Sequence, residues 1–140
     1  LQSWSRVSSA EQVRGLPQDC CVRRIACGES SCFLLLASAR ETKNVETGEG
    51  IYSWGRGSSG TLGHGNNEDV YSVPRRVSFL DGKGVVVLSL GERHSCALTV
   101  YGLLYSWGGN DSAQLGSGVT SDVSTIGRSG DYRSLPAVVE

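Results

Sequence analysis

Apolar positions along this chain come in short runs, four to seven residues long and rich in Val, Leu and Tyr, and Gly-bearing polar stretches interrupt them every eight to twelve residues. Runs of that length, with β-branched and aromatic residues between turn formers, predict strands. Helices would need longer segments with apolar residues three and four apart. The cleanest series lies in the second half, where it predicts strands near 85–90, 95–99 and 103–107 and a short fourth near 136–139. Pro136 would open that fourth strand, where a missing amide is tolerated on an outer edge.

The same order of features occurs twice. Ser53-Trp54-Gly55 returns as Ser106-Trp107-Gly108, 53 residues later, with Ile51-Tyr52 and Leu104-Tyr105 in front. Each triplet leads into a Gly-rich stretch, 56–65 and 109–118, and then into Val73-Pro74-Arg75-Arg76-Val77 or Leu135-Pro136-Ala137-Val138-Val139. Ahead of the triplets, apolar runs end at Gly28 and Gly91 and are followed by Glu29-Ser30-Ser31-Cys32 and Glu92-Arg93-His94-Ser95. A worn copy, Leu1-Gln2-Ser3-Trp4-Ser5, stands 50 residues upstream of the first triplet. A period near 50 with several short strands per unit is the mark of propeller blades or a β-solenoid. The expected fold is all-β, a partial β-propeller with blades of four antiparallel strands. Residues 1–21 would be the degenerate end of a preceding blade, 22–84 the first blade repeat and 85–140 the second.

Gly91, His94, Ser95, Ala97, Leu98, Gly102, Tyr105-Ser106-Trp107-Gly108, Asn110, Gln114-Leu115-Gly116 and Pro136 form an ordered set that resembles the repeats of the regulator of chromosome condensation family. The earlier unit matches at Gly28, Leu35, Tyr52, Trp54, Gly55, Gly60, Leu62, Gly63, Gly65 and Pro74, and departs where Ser31-Cys32 replaces His-Ser. The resemblance implies blades of a seven-bladed propeller. Two units cannot close such a ring, so the chain is expected to be a fragment of a larger propeller or to complete one with other copies. In isolation it is expected to be marginally stable or to associate through open blade faces. The resemblance also implies protein partners: the expected function is a protein–protein interaction scaffold in the cytoplasm or nucleus. The alternatives are a guanine-nucleotide exchange factor module for a small GTPase and a chromatin-binding propeller. A Gly-Trp-Arg-His-Thr motif used in a light-sensing branch of the family is matched by Gly91-Glu92-Arg93-His94-Ser95, which lacks the Trp, so light sensing is not expected.

Composition narrows the chemistry. Thirteen basic and 14 acidic residues leave a net charge of −1, without the basic excess that nucleic-acid backbones require, and nucleic acid is not an expected partner. No apolar run approaches the ~20 residues of a membrane-spanning helix, so no membrane partner is expected. The five cysteines, Cys20, Cys21, Cys27, Cys32 and Cys96, do not space as two zinc-binding pairs; they read as buried free thiols of a reducing compartment, and no metal is expected. Gly55-Arg56-Gly57-Ser58-Ser59-Gly60 spells a dinucleotide fingerprint, but no helical pattern follows and no cofactor is expected. His94 is expected to pack structurally, and His64, in a Gly-rich loop, to be exposed. No catalytic residues are assigned and the chain is expected not to be an enzyme. Trp54 and Trp107, at one repeat position, are expected to share one structural role.

Alternating strand directions place the turn between strands one and two on the same face as the loop between strands three and four. Glu92 and Arg93 would then lie near the stretch Asn110–Ser134, and Glu29 near Arg56–Ser72, with Ser38–Glu49 and Asp81–Gly84 on the opposite face. Long polar loops on a rigid sheet are where binding concentrates. The candidate partner-binding residues are Glu92, Arg93, Asn110, Asp111, Arg56 and Glu68. For Asn110 and Asp111 the competing role is to fix the loop by side-chain-to-backbone hydrogen bonds.

Overall fold

A computed structural model describes residues 10–18, 20–38, 50–116 and 132–139. The worn copy at 1–5, most of the Ser38–Glu49 loop and the outer part of the 109–134 loop lie outside these residues. The described chain is all-β. Strands β1 (Cys20–Cys27), β2 (Ser31–Ser38), β3 (Gly50–Gly55) and β4 (Val70–Arg76) form one antiparallel sheet in sequential order. Strands β5 (Val85–Leu90), β6 (His94–Thr99), β7 (Leu104–Gly109) and β8 (Tyr132–Val138) form a second with the same order.

Each sheet is a blade, and repeat logic governs the details. Gly28 N donates to Ser31 O at 2.8 Å and Gly91 N to His94 O at 2.8 Å, closing two-residue turns at Glu29-Ser30 and Glu92-Arg93. The fourth strand begins earlier than predicted, at Tyr132, and Pro136 is its fifth residue instead of its first. Pro74 occupies the fifth place in β4 as well. Both fall where the register with the third strand shifts, between Ser53 and Gly55 and between Ser106 and Gly108. An outermost strand with an interrupted ladder loses nothing by lacking that amide.

The two blades pack face to face, and their joint is the core. Phe33, Leu35, Ile51, Leu62, Val77 and Leu80 of the first blade meet Val85, Ala97, Tyr105 and Trp107 of the second. Trp107 is 0% exposed; its ring centroid lies 5.8 Å from that of Phe33, and Nε1 donates to the Thr61 carbonyl at 2.8 Å. Ser95 Oγ donates to the same carbonyl at 3.0 Å. Thr61 O thus takes two hydrogen bonds from the neighbouring blade in a buried setting, where an unpaired indole N–H would be costly.

The Ser-Trp-Gly triplet now has a physical reading. Ser53 Oγ donates to Leu62 O at 2.8 Å and Ser106 Oγ to Leu115 O at 2.7 Å, so the Ser pins the following loop. The Trp of the second blade crosses the joint. The Gly stands at φ 110° in Gly55 and 106° in Gly108, and a Cβ there would fall 2.3 Å from Ser30 O or 2.5 Å from Arg93 O. Only glycine allows the first turn of each blade to approach so closely.

The equal role expected of the two tryptophans does not hold. Trp54 is only half-buried, because the face it occupies has no second sheet against it among the described residues; a shallow cleft lined by Glu11, Gln12, Arg14, Trp54, Tyr71 and Pro74 lies there instead.

Candidate protein-binding face

The turns β1–β2 and β5–β6 and the loops β3–β4 and β7–β8 share one end of the blades. Arg56 N donates to Ser30 O at 2.8 Å and Gly109 N to Arg93 O at 2.6 Å, tying each loop base to the turn beside it. The opposite end carries the Asp81–Gly84 turn, where Val100 N donates to Gly84 O at 2.8 Å.

In the second blade, Arg93 Nη1 meets Asp111 Oδ2 at 2.7 Å, and Arg93 Nη2 donates to Ser59 Oγ at 3.0 Å. One guanidinium therefore joins its own blade's loop to that of the neighbour. Gln114 Nε2 donates to Asp111 Oδ1 at 2.9 Å. The Gln114 amide first, and Arg93 after it, hold the Asp111 carboxyl below the usual carboxylate range. Asn110 Oδ1 accepts from Leu115 N at 3.1 Å and Gln114 Oε1 from Ser112 N at 2.8 Å, so both side chains shape the loop. Glu92, Arg93 and Asp111 border a shallow cleft with His94, Ser112 and Gln114.

Arg56 and Glu68 belong to the first blade's loop. Glu68 Oε2 accepts from Asn66 Nδ2 at 3.0 Å, and both Glu68 and Arg56 are exposed. Asp69 of this loop and Tyr71 of β4 lie outside the predicted contact set. Asp69 Oδ1 accepts from Gly57 N at 2.7 Å and Oδ2 from the Tyr71 hydroxyl at 2.5 Å. The Tyr71 hydroxyl, then the Gly57 amide, hold the Asp69 carboxyl low, while Asp69 pushes the Tyr71 hydroxyl up. Residues two apart on extended chain point the same way, a signal Asp69 and Tyr71 carried in the sequence.

The dinucleotide fingerprint is a closed turn. Ser58–Gly60 forms a single 3-10 turn, and a Cβ at Gly57 would fall 1.9 Å from Glu68 O, so the loop is packed against itself where a pyrophosphate would have to enter. His64 is half-buried, against the expected exposure. Its Nε2 lies 2.9 Å from Ser53 Oγ, whose own proton goes to Leu62 O, so Nε2 is the donor. Burial, then the charge of Arg75, lower its pKa to about 4. The expected burial of the cysteines also fails. Cys21 and Cys27 are exposed and Cys20, Cys32 and Cys96 half-buried, because the open blade faces leave them uncovered. Among the described residues, no three His, Cys, Asp or Glu side chains gather as a metal site.

Comparison with known proteins meets the same repeats. The model of the regulator of chromosome condensation (RCC1) repeat matches residues 49–98, and a second model of the same description matches 85–114. A bifunctional serine/threonine-protein kinase/NEDD4-like E3 ubiquitin-protein ligase of Dictyostelium discoideum is 47% identical over 92 residues, 64% of this chain and 4% of that protein. The ultraviolet-B receptor UVR8 of Arabidopsis thaliana is 34% identical over 111 residues, 79% of this chain and 25% of the receptor. The chain thus spans a quarter or less of these relatives. Among solved structures, Prp20p of Saccharomyces cerevisiae, described with its binding properties to Gsp1p and histones, superposes with a TM-score of 0.63 at 20% identity, over 90% of this chain and 27% of its own. That likeness is one of fold. The two four-stranded sheets are blades of a propeller, and the chain belongs to the proteins built from regulator of chromosome condensation repeats.

Proposed function

We propose that this chain is a protein-recognition scaffold, a module that binds other proteins through the loop-bearing end of its blades and performs no bond chemistry. The observation that carries the reading is the contrast within that end. Loop bases are anchored by backbone and carboxylate hydrogen bonds, while Glu29, Glu92 and Arg56 stand exposed with no side-chain hydrogen bond among the described residues. Charged side chains carried on anchored turns and loop bases suit recognition, because little backbone order remains to be lost there on binding. The contact set is Glu92, Arg93, Asn110, Asp111, Arg56 and Glu68, with Asn110 and Asp111 chiefly shaping the loop. A cytoplasmic or nuclear setting accords with this reading.

The second reading is an exchange-factor or chromatin-binding propeller. It is favoured by the structural likeness to Prp20p, which is described by its binding to Gsp1p and histones. One experiment serves both. The chain is titrated against a panel of nucleotide-loaded small GTPases and against core histones, with nucleotide release followed in parallel. The titration is repeated with Glu92→Arg plus Arg93→Glu, and with Glu41→Lys plus Lys43→Glu. Binding without accelerated release, lost in the first double variant, supports the scaffold. Accelerated release supports the exchange factor. Loss only in the second double variant moves the site to the other end of the blades.

A further inference from the structure

Cysteine spacing along the sequence hides a pairing across the first hairpin. Cys27 ends β1 and Cys32 is the second residue of β2, and the two are register partners. The next pair towards the turn, Gly28 and Ser31, is the hydrogen-bonded one, with Gly28 N on Ser31 O at 2.8 Å. Pairs alternate in an antiparallel ladder, so Cys27 and Cys32 occupy a non-hydrogen-bonded pair, where Cα atoms stand about 4.5 Å apart and side chains come closest. That lies within the roughly 4.4–6.8 Å span that a disulfide bridges without backbone movement. The Cys32 thiol already donates to Cys27 Sγ at 3.5 Å.

We propose that Cys27 and Cys32 are a reversible thiol–disulfide modification site whose co-reactant is a hydroperoxide. Cys27 is exposed and accepts the Cys32 hydrogen bond, so it meets the peroxide first. Its sulfur attacks one peroxide oxygen, the O–O bond breaks, and a sulfenic acid and one water or alcohol result. Cys32 sulfur then attacks the sulfenic sulfur. The S–S bond forms, hydroxide leaves and takes the Cys32 proton as a second water. Two sulfurs are each oxidised by one electron and the peroxide is reduced by two. An external dithiol reverses the step by exchange. Burial, and then the neighbouring Cys27, push the Cys32 pKa up to about 11, which keeps Cys32 a thiol at neutral pH and fits it to the second role.

The second blade shows what the site replaces. Its register partners at the same place are Leu90 and Ser95, which cannot be oxidised in this way. There Ser95 Oγ donates to the carbonyl of the preceding blade. Cys32 holds that donor position in the first blade, and oxidation removes its S–H. The modification therefore alters the blade face that carries Trp54.

The readout is a tryptic digest of the intact chain. Residues 25–40 contain Cys27 and Cys32 with no internal Lys or Arg, while Cys20, Cys21 and Cys96 fall in other peptides. After mild hydrogen peroxide, alkylation and digestion, the expected 25–40 peptide has lost two hydrogens and carries no alkyl group. Dithiothreitol before alkylation restores two labelled thiols. In Cys32→Ser, which installs the second blade's own residue, a diketone probe should trap a sulfenic acid on Cys27. Two labelled thiols after peroxide, a sulfinic Cys27 beside a free Cys32, or a link from Cys27 to Cys20, Cys21 or another chain would each overturn the proposal. A chain with Cys20, Cys21 and Cys96 changed to Ser should still form the bond.

Discussion

Two blades of one repeat offer the same side chains to different surroundings. Leu35 and Ile51 of the first blade are each 3% exposed; Leu98 and Leu104, at the same repeat positions in the second, are 37% and 39% exposed. The first pair lies under the second blade and the latter under nothing among the described residues. The tryptophans reverse the contrast, with Trp107 sealed in the joint and Trp54 half-open. Repeat position fixes which way a side chain points, and the neighbour fixes what that direction is worth. Stability in such arrays is largely a sum of unit and joint terms.

The comparison can be broken most forcefully at the tryptophans. Trp107→Ala should cost about 3–5 kcal/mol in chemical denaturation, since it empties the joint and strips a donor from Thr61 O. Trp54→Ala should cost about 1–2 kcal/mol, nearer the average substitution. Equal losses would mean that Trp54 is covered in solution as fully as Trp107.

The loop pins give a smaller contrast. Ser53→Ala and Ser106→Ala should each cost about 1–3 kcal/mol by leaving a buried carbonyl unpaired. Ser53→Ala also frees His64, whose position is taken by Ser117 in the second repeat. The folded His64 takes a proton only near pH 4 and its unfolded form near 6.5. Acid therefore favours unfolding: stability present above pH 6.5 should drain away as pH falls through that window. His64→Gln should flatten the slope of stability against pH there, and an unchanged slope would put the proton uptake elsewhere.

Ala113 sits at φ 58°, where the first blade has Gly60 at φ 71°. Ala113→Gly should raise stability by about 1 kcal/mol, because the left-handed region strains an L side chain. Lower stability would show that the looser unfolded chain outweighs the strain. The smallest effect concerns Arg93, matched by Ser30 in the first repeat. Breaking its contact with Asp111 by Arg93→Ala should cost about 0.2–1 kcal/mol, and less in high salt.

The strands were legible because short apolar runs between turn formers have few other readings, and the triplet repeat set their order. The sharing of one end by Arg93 and Asp111 followed from strand direction alone. Other features were hidden by what sequence distance does not show. Flanking glycines made His64 look exposed, yet Ser53 and its carbonyl acceptor draw it inward. Cys27 and Cys32 looked merely five apart until a two-residue turn made them opposite. Pro136 looked like a strand opener because the bulge that tolerates it has no local signature. Arg93 reaches Ser59 only because two blades meet, which no single repeat encodes.

The shared carbonyl of Thr61 gives the joint a direction. Each blade presents a socket on one side and an indole plug on the other, and the two are different surfaces. Two such blades cannot meet about a twofold axis, since that would set socket against socket. They can add only head to tail, an arrangement that ends when it curves into a ring and otherwise keeps growing. A substitution that blocks the socket should therefore stop addition on one side and leave the other competent, so that a blocked copy acts as a terminator.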